Sequence, residues 1–339
     1  VSSPMYIAEV SPARIRGRMV SVNQFAIIFG MVVVYFVNYF IALQGDEAWN
    51  VAVGWRWMFG SGALPSLLLL VLMFFVPATP RWLVKLGRRD EAFALLERID
   101  GKAKAQHVLA EIDDTVSRES GSVWQLFQPG MRIALLIGVV LAVLQQVTGI
   151  NVFLYYAPEI IKKLGVATDV ALLQTVLVGA VNMVFTVIAI WTVDRIGRKP
   201  LLMLGASGMG LCLLVLGWMS YIQRVEAWAL LLILGYIACF ALSVGPVVWV
   251  VLSEIFPTKI RGRAMSIAAF CLWNANFVVS QTFPMMDADP VLVEKFHHAF
   301  PFWVYGGLCA VTVVFVWLFV PETKGKSLEE IERMWQRRG

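Results

Sequence analysis

Gln145, Gln146 and Asn151 put three carboxamides within seven residues of an apolar stretch, around Gly149. A carboxamide both donates and accepts, so the set suits a neutral ligand carrying many hydroxyls. Gly149 weakens the helix and lets it unwind where such a ligand would dock. Asn151 and Tyr155 are four apart and share a helical face. Trp249 follows Gly245-Pro246, where the helix should kink. Trp249 and Trp273 can pack on the apolar face of a saturated ring and donate an indole N–H. Gln24, Asn38, Asn182, Asn274 and Asn276 also fall within apolar runs. An amide buried alone costs about 1–3 kcal/mol, so each pairs with another helix or meets a ligand.

Charge is clustered elsewhere. Glu9, Pro12, Ile15, Arg16, Gly17, Arg18 and Ser21 recur 245 positions later as Glu254, Pro257, Ile260, Arg261, Gly262, Arg263 and Ser266. An offset that long points to two related halves, not a short-period solenoid. Asp194-Arg195-Ile196-Gly197-Arg198 is a third cluster of similar chemistry. Arginine makes two-point bonds to carboxylates, so these clusters read as ion-pair latches between helix bundles, or as plain topology signals.

These residues must be held by elements that cross a bilayer. The chain is 59% hydrophobic and 15% charged, against roughly 45–50% apolar residues in a soluble domain. Eight runs are long enough to span: Met19–Leu43, Trp57–Val76, Ile133–Tyr156, Val170–Val193, Pro200–Ile222, Ala227–Leu252, Ala264–Met285 and Phe300–Val320. A partial ninth precedes Glu9. The expected class is therefore an all-α polytopic membrane protein. Residues 9–18, 77–132, 194–199, 253–263 and the tail from Pro321 hold 23 of the 28 Lys and Arg residues. That bias makes them the cytoplasmic side, C-terminus included. The formal net charge of +5 is then a topology signal and not a nucleic-acid signal.

The expected domains are a helix-bundle remainder at 1–76, a cytoplasmic linker at 77–132, a six-helix bundle at 133–320 and a cytoplasmic tail at 321–339. In the linker, Ala92, Phe93 and Leu96 share one face, and Val108, Leu109, Ile112 and Val116 repeat that spacing, with Gly101 as a stop between them. Ser327 and Glu330 form a capping-box pattern opening a tail helix. Cys212, Cys239, Cys271 and Cys309 all sit in apolar runs and read as packing residues. No Cys/His spacing suggests a metal, and no cofactor is expected. His107, His297 and His298 lie in loops away from the amide cluster, which argues against a membrane enzyme.

Two bundles joined by a cytoplasmic segment are the layout of alternating-access transporters. The chain resembles the sugar porters of the major facilitator superfamily. The residues that carry this are Pro4–Glu9, the paired Arg-Gly-Arg motifs, Pro80-Arg81-Trp82-Leu83, Gln145-Gln146 with Gly149 and Asn151, Asp194–Arg198, Gly245-Pro246 with Trp249, and Pro321–Gly325. Asn23–Gly30 and Thr282–Asp287 are most similar to the bacterial branch that couples D-xylose to protons.

The resemblance implies helices 5–12 of a twelve-helix fold plus the end of helix 4. It implies import of a monosaccharide by alternating access across the bacterial inner membrane, with a proton as co-substrate. Sugar contacts carry over to Gln24, Gln145, Gln146, Asn151, Asn182, Trp249 and Trp273. Cytoplasmic gating ion pairs carry over to Glu9, Arg16, Arg18, Asp194, Arg195, Arg198, Glu254, Arg261, Arg263 and Glu322. Two positions depart from the family pattern. Leu272 stands where this branch has an amide, which bears on sugar preference, and Ala78 stands where a Glu is usual. An ionisable residue deep in the bilayer is the usual proton carrier. The eight spans hold none, and the family's carrier and its arginine partner fall before Val1. A facilitative uniporter is therefore the rival reading. A membrane sugar sensor is a third, and the short tail after Val320 speaks against it.

Overall fold

The computed structural model describes residues 6–7, 10, 16–117, 131–156, 160, 168–224, 228–256 and 261–324. The chain forms two compact units, Val1–Ser122 and Val123–Gly339.

The first unit holds α1 (Arg16–Ala42), α2 (Glu47–Met73), α3 (Pro80–Lys85), α4 (Arg89–Asp100) and α5 (Lys102–Ser117). Its starts follow capping chemistry. Asp46 accepts the Trp49 N–H at 2.8 Å and opens α2. Thr79 accepts the Trp82 N–H, and Pro80 occupies the first turn of α3, where a missing N–H does no harm. Gly101, at φ +83, separates α4 from α5. Leu83, Val84 and Ala92 form a small buried cluster, with Leu95, Leu109 and Ile112 packed on it. Helices α3, α4 and α5 pack on one another within the first unit.

The second unit holds α6 (Met131–Val147), α7 (Ile150–Tyr155), α8 (Thr168–Ile196), α9 (Arg198–Tyr221), α10 (Trp228–Ile255), α11 (Arg261–Ala288), α12 (Pro290–Phe296) and α13 (Phe300–Phe319). On α6, Ala134, Ile137, Leu141 and Gln145 are buried in a stripe at helical spacing. Helix α6 packs on α11. Helix α9 packs on α10 and α13. Helices gain little by hiding apolar surface from lipid, so close approach through small residues holds them together. Gly205 shows this, since its backbone meets Ser243 Oγ where any side chain would stand.

Among the described residues, seven helical stretches are long and apolar enough to cross a membrane. The eighth expected span, Ala264–Met285, is helical within α11. Asn274, Asn276 and Gln281 dilute its hydropathy, so it falls outside the seven. The second span starts earlier than its apolar run, at Glu47 instead of Trp57. Side chains such as Leu67, Leu70 and Phe74 are largely exposed, as a chain surrounded by hydrocarbon would have them.

Candidate functional site

The amide cluster sits where two helices break. Helix α6 ends at Val147, and Gly149 takes a left-handed conformation at φ +91 before α7 resumes. Two tyrosines hold the break. Tyr236 donates to the Thr148 carbonyl at 2.9 Å. The ring of Tyr305 lies against Gly149, where an added Cβ would be 2.8 Å from its Cγ. The second break is in α10, where Phe240–Val244 form a π-helical turn ahead of Gly245-Pro246. Proline cannot donate to the ladder and crowds the preceding turn, so carbonyls there lose their helical partners.

Gln145 bonds at the bend itself. Its Nε2 donates to the Val244 carbonyl at 3.0 Å and the Gly245 carbonyl at 2.9 Å. Its Oε1 is buried with no hydrogen-bond partner among the described residues. A buried acceptor without a donor is costly, and a ligand hydroxyl would satisfy it. Asn151 Nδ2 donates to Gln146 Oε1 at 2.6 Å and to Asn276 Oδ1 at 2.8 Å. One amide thus joins α6, α7 and α11. Asn151 Oδ1 and the amide nitrogens of Gln146 and Asn276 make no further bond to a described residue. The cluster therefore offers two acceptors and two donors to a hydroxyl-rich ligand.

The structure brings Gln145, Gln146 and Asn151 together and adds Asn276, which the sequence offers only as one amide among several. Trp249 is half-buried against the unit's core, one turn past Pro246. Asn182 is buried on α8, which packs against the π-helical turn of α10. Trp273 is 56% exposed and shares a face with Phe270 and Phe277. It is not drawn into the amide cluster. Gln24 lies on α1, and its side chain is outside the described residues. Leu272, which stands where the branch has an amide, faces the other way from Trp273. It is 1% exposed and belongs to the packed core of the unit.

The charged cluster is built at the other end of these helices. Arg198 grips Glu254 at two points, Nη2 to Oε1 at 2.9 Å and Nε to Oε2 at 3.3 Å. Thr323 Oγ1 donates to the same carboxylate at 2.5 Å. Glu322 accepts the backbone N–H groups of Arg198 at 3.1 Å and Lys199 at 3.0 Å, at the start of α9. Carboxylates are favoured at such a helix start. Burial pushes the Glu322 carboxyl up. The backbone N–H groups of Lys324, Arg198, Lys199 and Thr323 outweigh that and leave it below its ordinary value. Lys324 Nζ donates to the Arg195 carbonyl. The Arg198–Glu254 pair joins α9 and α10 within one unit. A residue pair that converges inside one packed bundle braces that bundle. Arg263 is exposed. Glu9 lies outside the described residues, as do the side chains of Arg16, Arg18, Asp194 and Arg261. The tail helix expected at Ser327 is outside them too.

A family model described as "Sugar (and other) transporter" matches residues 1–335. The chain belongs to this sugar transporter family. It is 51% identical over 336 residues to the D-xylose-proton symporter of Escherichia coli strain K12, covering 98% of this chain and 68% of that one. The arabinose-proton symporter of Bacillus subtilis is 40% identical over 98% of this chain and 71% of its own. The glucose facilitated diffusion protein of Zymomonas mobilis is 42% identical over the same shares, 98% and 71%. Among solved structures, the proton:xylose symporter XylE bound to 6-bromo-6-deoxy-D-glucose superimposes with a TM-score of 0.81 at 51% identity. That match covers 98% of this chain and 70% of the other. The inward-open form of E. coli XylE gives 0.83 at 47%, covering 98% and 69%. This sugar transporter therefore has the major facilitator fold and is a multi-pass membrane protein, not an enzyme.

Proposed function

We propose that this transporter imports D-xylose or a related pentose or hexose by alternating access, coupled to protons, in a bacterial inner membrane with its C-terminus in the cytoplasm. The observation that carries the site is Asn151 bridging Gln146 and Asn276 at a helix break, with amide valences left open beside it. Gln145, Gln146, Asn151, Asn182 and Trp249 contact the sugar, together with Asn276. Gln24 and Trp273 belong to the set on resemblance. Among the gating residues, Arg198, Glu254 and Glu322 brace one bundle so that it moves as a rigid piece. Glu9, Arg16, Arg18, Asp194, Arg195, Arg261 and Arg263 are proposed for the same machinery. Proton coupling is supported by two relatives that carry it in their names. A facilitative uniporter is the second reading, supported by the facilitated-diffusion relative.

Uptake of labelled D-xylose by the full-length protein in proteoliposomes, with and without an imposed pH gradient, separates the two. Accumulation above equilibrium only with the gradient is expected. Equilibration alone would establish the uniporter. No uptake of D-xylose, with another sugar still carried, would overturn the substrate assignment.

A further inference from the structure

Three non-glycine residues among those described have left-handed backbones: Gln223 at φ +54, His297 at φ +48 and His298 at φ +64. All three line one cavity of about 530 Å³ in the second unit. His297 is the left-handed cap that ends α12, and Gln223 follows the last turn of α9, so these turns close two helices at the cavity wall. The cavity lies at the end of the unit away from the Arg198–Glu254 cluster. Ser220 closes α9, whose first residue is Arg198, and Asp287 lies at the far end of α11. It is also separate from the amide cluster: on α11 its lining residues Phe283 and Asp287 lie beyond Asn276 by roughly 10 and 16 Å along the helix.

Its polar groups are already oriented. Ser220 Oγ donates to the His297 carbonyl at 2.8 Å. Gln223 Nε2 meets His297 Nδ1 at 2.9 Å. An amide N–H donates there, so the proton of a neutral His297 sits on Nε2, a donor. His298 Nδ1 lies 2.9 Å from Asp287 Oδ1. That carboxylate accepts, so Nε2 of a neutral His298 is an acceptor. The side chain of Asp287 is 14% exposed, and its Oδ1 is engaged by His298. The cavity thus offers donors and acceptors with its one carboxylate already engaged, which selects a neutral ligand. Two aromatic walls are held in place. Phe302 stacks on Phe153 with centroids 6.1 Å apart, and Phe283 tilts against Tyr156 at 5.5 Å. Rings of this kind take the apolar face of a saturated ring.

We propose that this cavity is a second binding site, for a neutral polyol of monosaccharide size, distinct from the amide cluster. Its volume falls in the range of small-molecule sites, about 300–1,000 Å³.

Equilibrium dialysis of labelled D-xylose, D-glucose and sorbitol against the full-length purified protein tests it. At least one of the three should show a binding class that His298→Ala weakens by at least about tenfold. Val293→Trp, which fills the cavity, should abolish the same class. Asn151→Ala should leave it intact, so failure of the amide site and failure of this one are read separately. Unchanged melting temperature identifies variants that fold, and either cavity variant alone suffices. Binding of all three polyols that is indifferent to both cavity variants would overturn the proposal, as would absence of any class that survives Asn151→Ala.

Discussion

The ring of Tyr305 is packed so closely on Gly149 that a methyl group there would lie 2.8 Å from Cγ. Gly149 also holds φ at +91. Alanine in that conformation costs about 1–2 kcal/mol before any clash. Gly149→Ala is therefore expected to lower the melting temperature and weaken sugar binding together, because the break that presents Asn151 would shift. Tyr305→Ala in the same background should relieve the clash and not the φ strain. Because Tyr305→Ala itself removes a buried ring, the reading is a cycle: Gly149→Ala should lower the melting temperature less in the Tyr305→Ala background than in the wild type. An equal drop in both would show that contact with Tyr305 is not what confines Gly149.

Asn151 gives both amide hydrogens to other amides, one on α6 and one on α11. Removing it leaves Gln146 Oε1 unpaired, at about 1–3 kcal/mol, and Asn276 Oδ1 with only a 3.5 Å bond from Ser280 Oγ. Asn151→Ala should weaken sugar binding at least about tenfold. Asn276→Ala should weaken it by less, since it breaks only one of the two bonds. The double variant should fall short of the sum, because the two side chains share a bond. Titration calorimetry on the four proteins measures the coupling. Strict additivity would mean that the bond seen here plays no part in holding the ligand.

Part of this site was legible in the chain because its signals are local. Gln145, Gln146, Gly149 and Asn151 are neighbours in sequence, and a glycine among amides marks a break wherever the rest of the helix folds. Asn276 was harder to place. It lies 125 positions from Asn151, and α11 is apolar on most of its circumference. In water, a polar face shows which side of a helix looks outward. In a bilayer both sides are apolar, and that guide is lost. The orientation of Trp273 and Leu272 is hidden in the same way. The structure turns Leu272 and Asn276 inward and Trp273 outward from the unit. The Arg198–Glu254 pair spans 56 positions. Its chemistry could be read from the two motifs, but whether it joined two bundles or braced one depended on packing.

Leu272 offers a direct check. If it faced the sugar, Leu272→Gln would restore a hydrogen bond and change sugar preference. Buried at 1% exposure in the core, it should instead bury an amide with no partner, at about 1–3 kcal/mol. The expected result is a lower melting temperature with the ratio of D-xylose to D-glucose affinity unchanged. A changed ratio at constant stability would return the residue to the binding surface.

Glu322 ties the chain after α13 to the start of α9, and its carboxyl sits below its ordinary 4.5 despite the opposing effect of burial. Backbone N–H groups favour the charged form, so the folded state holds its proton less tightly than the unfolded one. The stabilisation is then fully present above about 4.5 and is lost as pH falls through the lowered folded value. Glu322→Gln removes the charge at every pH. The melting temperature of the wild type should exceed that of the variant at pH 7, and the gap should close as the pH is taken below 4. Other acidic groups titrate in both proteins and cancel in the difference. A gap that stayed constant down to pH 3 would show that the amide oxygen of glutamine fails for reasons of shape, and that charge at the start of α9 contributes nothing.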